Sequence, residues 1–169
     1  MTLRRLSPDD LPAFQAYRRD PEVGRWQGWR PQSDAQALAF LTEMASAPLF
    51  VPGTWSQLGI ADAQTGALLG DIGIHIGDDG QAAEFGFSLA RAAQGRGLAR
   101  AAVQEAVALV FAQTAVQTIC AQTDSRNLAC IRLLERLGAV KLADIATEFR
   151  GEPCVEFRYE LARRPGLAG

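Results

Sequence analysis

Between Ala83 and Leu89 apolar and polar side chains alternate, with Phe85, Phe87 and Leu89 on one side and Glu84, Gly86 and Ser88 on the other. That is the period of a strand with one buried face. Downstream the period changes. Ala99, Val103, Ala106, Val107 and Val110 recur at helical spacing and predict one buried stripe on a helix running to about Gln113. The same reading gives a strand over Thr2 to Leu6. Ser7, Pro8, Asp9 and Asp10 then open a helix that runs to about Arg19 and is broken by Asp20-Pro21. Glu22 to Pro31 reads as a loop holding Trp26 and Trp29, and Ser33 and Asp34 start a helix ending near Ala47.

Strands over Trp55 to Ala61, Leu68 to Ile76 and Ala83 to Leu89, joined by Asp- and Gly-rich turns, form an antiparallel meander. After the long helix come a strand over Val116 to Thr123 and a helix from Asn127 to Leu137, stopped by Gly138. Strands over Val140 to Thr147 and Cys154 to Leu161 follow, with residues 162–169 as a frayed tail. The order βαα-βββ-α-β-α-ββ predicts an α/β fold of the α+β type, with a mixed, mostly antiparallel, twisted central sheet flanked by helices. The chain of 169 residues reads as one domain, residues 1–169.

The junction Gln94-Gly95-Arg96-Gly97-Leu98-Ala99 lies between a strand and the start of the long helix. Glycines let the backbone turn tightly and approach a ligand closely. The first helical turn offers unpaired N–H donors and a partial positive charge. Together they favour a phosphate or pyrophosphate. A dinucleotide-binding fold would alternate strands and helices and carry its glycine fingerprint early. A P-loop would need Gly-Lys-Ser/Thr, which is absent.

Composition narrows the partners. A formal charge of −2 lacks the basic footprint of a nucleic-acid binder, so no nucleic-acid partner is expected. The apolar runs are too short for a membrane span, and no apolar segment follows Arg4 and Arg5 as a signal peptide would require. Cys120, Cys130 and Cys154 have no metal-type spacing, and there is one histidine, so no metal site is expected. A reducing cytoplasm is the expected compartment.

Three segments together resemble the GNAT superfamily of acyl-CoA-dependent N-acetyltransferases. Gln94 to Ala99 resembles the family's Gln/Arg-x-x-Gly-x-Gly/Ala signature. Asn127 to Gly138 resembles its Asn-x-x-Ser-x-x-x-hydrophobic-x-x-hydrophobic-Gly helix. Leu3 to Asp10, with Asp20 to Val23, resembles the opening of the branch containing ribosomal-protein N-terminal (alanine) acetyltransferases. The resemblance implies acetyl-CoA as cosubstrate and a primary amine attacking the thioester directly. It implies that backbone N–H groups of Gly95, Arg96, Gly97, Leu98 and Ala99, beside Gln94, hold the pyrophosphate. Phe87 and Leu89 would pair with the pantetheine arm, Asn127 would bind or orient it, and a gap between that strand and the strand over Val116 to Thr123 would admit the thioester. Arg96, Arg100 and Arg132 would contact phosphates, although Arg96 and Arg100 read equally as solvated helix residues.

For the acceptor the branch implies a protein or peptide N-terminus, with a small amine or antibiotic as the alternative. A homodimer is common in that branch. A non-catalytic acyl-CoA-binding module is a rival from another class. Three residues are candidates for proton transfer. Glu84 faces away from the core, as a base in some relatives or as a solvent-facing strand residue. His75 would serve as base if its face borders the cleft. Cys130 stands where relatives often have a Ser or Tyr in position to protonate the leaving thiolate. A cysteine is a weaker donor and is often simply buried. Asn127 also reads as a helix cap. Trp26 and Trp29 would wall the acceptor site or pack the helices onto the sheet.

Overall fold

The computed structural model describes residues 1–163. Its elements follow the predicted order: β1 (Thr2–Arg5), α1 (Leu11–Arg18), α2 (Pro21–Gly24), α3 (Asp34–Ser46), β2 (Trp55–Ala61), β3 (Leu68–Ile76) and β4 (Ala82–Leu89). After these come α4 (Leu98–Gln113), β5 (Thr118–Asp124), α5 (Leu128–Arg136), β6 (Val140–Phe149) and β7 (Glu152–Ala162). One seven-stranded sheet runs β1-β2-β3-β4-β5-β7-β6. Every pairing is antiparallel except β4 with β5, which is parallel.

Helices cover both faces. On one, Ile60, Ile72, Ile74 and Phe85 pack with Ala102, Val103, Ala106 and Val110 of α4 and Leu134 of α5. On the other, Leu6 and Leu68 pack with Phe14 and Tyr17 of α1 and with Ala37, Leu41 and Met44 of α3. The buried stripe of α4 thus begins at Ala102. Ala99 and Val107, expected within it, are half-buried.

Four local readings are corrected. The first helix is split: a 3-10 turn, Pro8–Asp10, precedes α1. Ser7 does cap it, in a capping box with Asp10, but Pro12 has no N–H to continue the ladder. The expected loop after Asp20 begins with the short helix α2, because Asp20 Oδ1 accepts from the Glu22 N–H at 2.9 Å and Pro21 suits the first position. The last two strands run longer than expected, since Arg150 (φ 54°) and Gly151 (φ 84°) make a tight two-residue turn between them. The tail does not fray from Ala162. Ala162 pairs with Thr118, and the Arg163 guanidinium donates to the carbonyls of Phe111, Thr114 and Val116. Residues 164–169, the rest of the expected tail, lie outside the described residues.

Candidate active site

Strands β4 and β5 pair over only three residues: Ala82 with Thr118, Ala83 with Ile119, and Glu84 with Cys120. Beyond Glu84 they separate. The next β4 carbonyls facing away from β3 meet side chains instead of a strand. Gln27 Nε2 donates to the Phe87 carbonyl at 2.8 Å, and Gln94 Nε2 to the Leu89 carbonyl at 3.0 Å. A residue's N–H points to the same side as its C=O in a strand, so this edge offers the gap a row of donors and acceptors. The gap opens into a cleft of ≈ 1350 Å³.

At one end of the cleft the chain turns into α4. Gly95 (φ +73°) and Gly97 (φ +75°) hold a left-handed conformation that L side chains rarely adopt, and a Cβ on either would meet nothing within 4 Å. The glycines are therefore demanded by backbone conformation and leave an open floor. The start of α4 has no side-chain cap and no acidic residue in its first turn. Its free N–H groups are offered to an external anion. Arg91, Arg100, Arg132 and Arg136 line the same cleft. A polyanion bearing an extended, amide-containing arm fits these residues: the anion at the glycine turn, the arm along the open edge of β4.

Of the residues expected to hold that ligand, Phe87, Leu89, Gln94, Gly95, Gly97, Leu98, Ala99, Arg100, Asn127 and Arg132 all line the cleft. Arg96 does not; it is exposed outside the lining. Asn127 caps α5, its Oδ1 accepting from the Cys130 N–H at 3.2 Å, and borders the cleft from that position.

The candidates for proton transfer are scattered. His75 and Glu84 are cross-strand partners on β3 and β4, and neither lines the cleft. They sit at the closed end, where Glu84 is exposed and makes the last pairing with β5. His75 packs against Trp55 with ring centroids 5.3 Å apart. Only Cys130 borders the cleft. Burial pushes its thiol up from the usual range, partly opposed by a hydrogen bond with Thr123. A thiol so raised gives up its proton less readily than an ordinary one, and the side chain packs against the core between sheet and helices.

The two tryptophans separate. Trp26 lines the cleft. Trp29 instead packs under the Arg18 guanidinium at 4.5 Å and donates from Nε1 to Ser88 Oγ at 3.2 Å. Several lining residues had not been expected: Glu22, Gln27, Arg91, Arg136, Phe149 and Glu156. Arg136 was discoverable, since it lies four residues beyond Arg132 on the same helical face. The others come from α2, from loops and from the last two strands, and carry no local signal.

The family model for the acetyltransferase (GNAT) domain matches residues 1–140. No curated protein matches. Among solved structures, an acetyltransferase of the GNAT family from Bacillus anthracis is 17% identical, with a TM-score of 0.81 over 95% of this chain and 93% of that one. Spermidine N-acetyltransferase from Vibrio cholerae, solved in complex with CoA and spermine, is 21% identical, with a TM-score of 0.82 over 95% of this chain and 94% of that one. At such identities the likeness speaks for the fold, and it is the fold whose parted strands and glycine-lined helix start are described above. With the family model spanning most of its length, the chain belongs to the GNAT acetyltransferases, which use acetyl-CoA as acyl donor.

Proposed function

We propose that this protein transfers the acetyl group of acetyl-CoA to a small primary amine. The observation that carries the acceptor class is a tie across the cleft. Arg150, at the β6–β7 turn, donates from Nη2 to the Gly24 carbonyl at 3.0 Å and the Gln27 carbonyl at 3.1 Å. The turn thereby meets the end of α2 and the segment after it, and Trp26, Gln27 and Phe149 line the cleft there. This favours a compact or linear amine over a polypeptide end. The mild acidic charge of the chain is compatible with a cationic acceptor. The N-terminal likeness to ribosomal-protein acetyltransferases supports a peptide N-terminus as the second reading.

Acetyl-CoA supplies an activated thioester carbonyl when bound. The first turn of α4 and Gly95 to Ala99 hold its pyrophosphate, with Arg91, Arg100, Arg132 and Arg136 nearby. Phe87 and Leu89 align the pantetheine arm by backbone pairing. Gln27 occupies the Phe87 carbonyl, so it turns aside for that pairing. Catalysis on this reading is chiefly positioning, since two reactants held in register replace a bimolecular encounter. Backbone N–H groups of the parted β4 edge are placed to stabilise negative charge on the carbonyl oxygen. Glu84 and His75 stand outside the cleft lining, so on this reading the amine proton reaches them through water.

The distinguishing experiment is a competition between short alkyl amines and peptides with free N-termini, with acetylated products identified by mass spectrometry. Small amines are expected to dominate; preferential acetylation of peptide N-termini would overturn the small-amine reading.

We further propose that two copies associate through β6. Among the described residues that strand ends the sheet, and Val140 and Leu142 are 62% and 53% exposed on it. An unpaired apolar edge invites another chain. Sedimentation is expected to give the dimer mass, and a monomer at all concentrations would contradict it. The three cysteines are free thiols, in keeping with a reducing cytoplasm.

A further inference from the structure

We infer that Glu156 is a specificity-determining residue: its carboxylate anchors a second, non-reacting ammonium, making a diamine or polyamine a better acceptor than a monoamine. The inference rests on the small-amine reading above.

Charge at this end of the cleft does not balance. Asp124 on β5 and Glu156 on β7 are direct cross-strand partners. Like charges so placed oppose folding. One cation serves the pair, and it is spent on Asp124. Arg126 donates from Nε to Oδ1 at 2.9 Å and from Nη2 to Oδ2 at 2.7 Å, and its backbone N–H donates to Oδ1 at 2.8 Å. Arg158, two residues from Glu156 on the same face of β7, turns the other way. It reaches Cys120 Sγ at 3.5 Å and lies in the field of Glu160 and Glu84. Arg25 stacks over Trp26 at 4.8 Å. Glu156 is left half-buried in the cleft wall, with no ion pair among the described residues. Glu22 also lines the cleft but is exposed on α2.

Position assigns Glu156 to a second ammonium. The strands part after Glu84 and Cys120, so the gap opens between Gly86 and Gln122. From Gln122, Glu156 lies two residues along and one strand across, roughly 8 Å in all from a rise of about 3.3 Å per residue and a strand spacing of about 4.8 Å. An amine reacting at the gap and a cation at Glu156 are thus separated by the reach of a short alkyl chain. Gly86 leaves that path open, since a Cβ there would meet nothing within 4 Å. Trp26 and Phe149 provide apolar walls.

The test compares diaminopentane, with an amine at each end, against pentylamine, on the full chain. Glu156→Gln is expected to lower kcat/KM for the diamine by about tenfold or more and for pentylamine by less than about threefold, with acetyl-CoA affinity unchanged. Glu156→Asp should recover part of the loss. Calorimetric binding of the diamine to the CoA-bound protein gives a readout independent of turnover, and it too should weaken about tenfold in Glu156→Gln. Equal losses for both amines, or diamine binding that ignores the substitution, would overturn the assignment. If the wild-type protein binds the diamine through Glu156 yet acetylates neither amine, the acetylation reading fails and the anchor stands. If it binds no diamine, the anchor fails.

Discussion

Gly97→Glu should leave the protein folded and weaken acetyl-CoA binding by about 100-fold or more, a loss of roughly 2.7 kcal/mol. Two effects act together. At φ +75° a side chain is strained, costing about 1–2 kcal/mol. The added carboxylate also projects into space that is otherwise open, where the free N–H groups of α4 and the cleft arginines meet an anion. There it satisfies those donors itself and repels the incoming phosphates. Gly97→Ala separates the terms. It carries the strain without the charge, so its affinity should fall by about tenfold or less. Calorimetry on both variants checks this, with a circular dichroism spectrum as the control for folding. Affinity within about threefold of wild type in Gly97→Glu would remove the phosphate site from this turn.

The second large effect is on stability. Asp71 lies on β3 with its side chain 1% exposed, and it accepts from Tyr17 Oη at 2.9 Å and from Arg18 Nη2. Arg18 is itself enclosed between the rings of Phe14 and Trp29. Burial, then the Asp71 charge, holds the Tyr17 hydroxyl well above the usual phenol range, so it remains a donor. Asp71→Ala leaves the Arg18 charge enclosed without its counter-ion, at a cost of about 3–5 kcal/mol. The melting temperature should fall by roughly 10 °C. Tyr17→Phe removes only a neutral donor, and its cost should be about 1–2 kcal/mol. Urea unfolding of the three proteins ranks them. An Asp71→Ala loss no larger than that of Tyr17→Phe would mean the ion pair does not hold α1 to the sheet.

What the sequence disclosed follows the range of the interactions involved. The meander was legible because each strand alternates and each turn carries its own Gly or Asp. The glycine turn was legible because φ > 0 and a helix start are local demands. The parting of β4 from β5 was not legible in the residues themselves. It depends on where two strands separated by α4 stop pairing, and only the family resemblance implied a gap there. Of the cleft wall near α2 only Trp26 was expected, and the rest was illegible for the same reason. Gln27, Phe149, Arg150 and Glu156 meet only because the β6–β7 turn folds back to the segment after α2. Glu84 and His75 were chosen by strand parity, which assigns a face correctly but not a distance along it. Both lie on the expected face, yet toward the closed end of the gap. Cys130 was located by its motif, and the structure adds the burial that weakens it as an acid.

The decisive experiment follows release of free thiol from acetyl-CoA with and without a primary amine. Wild-type protein should release thiol only when the amine is present, and Gly97→Glu should release none. Acetyl-CoA binding without amine-dependent release across a broad panel would contradict the proposed acetyl transfer.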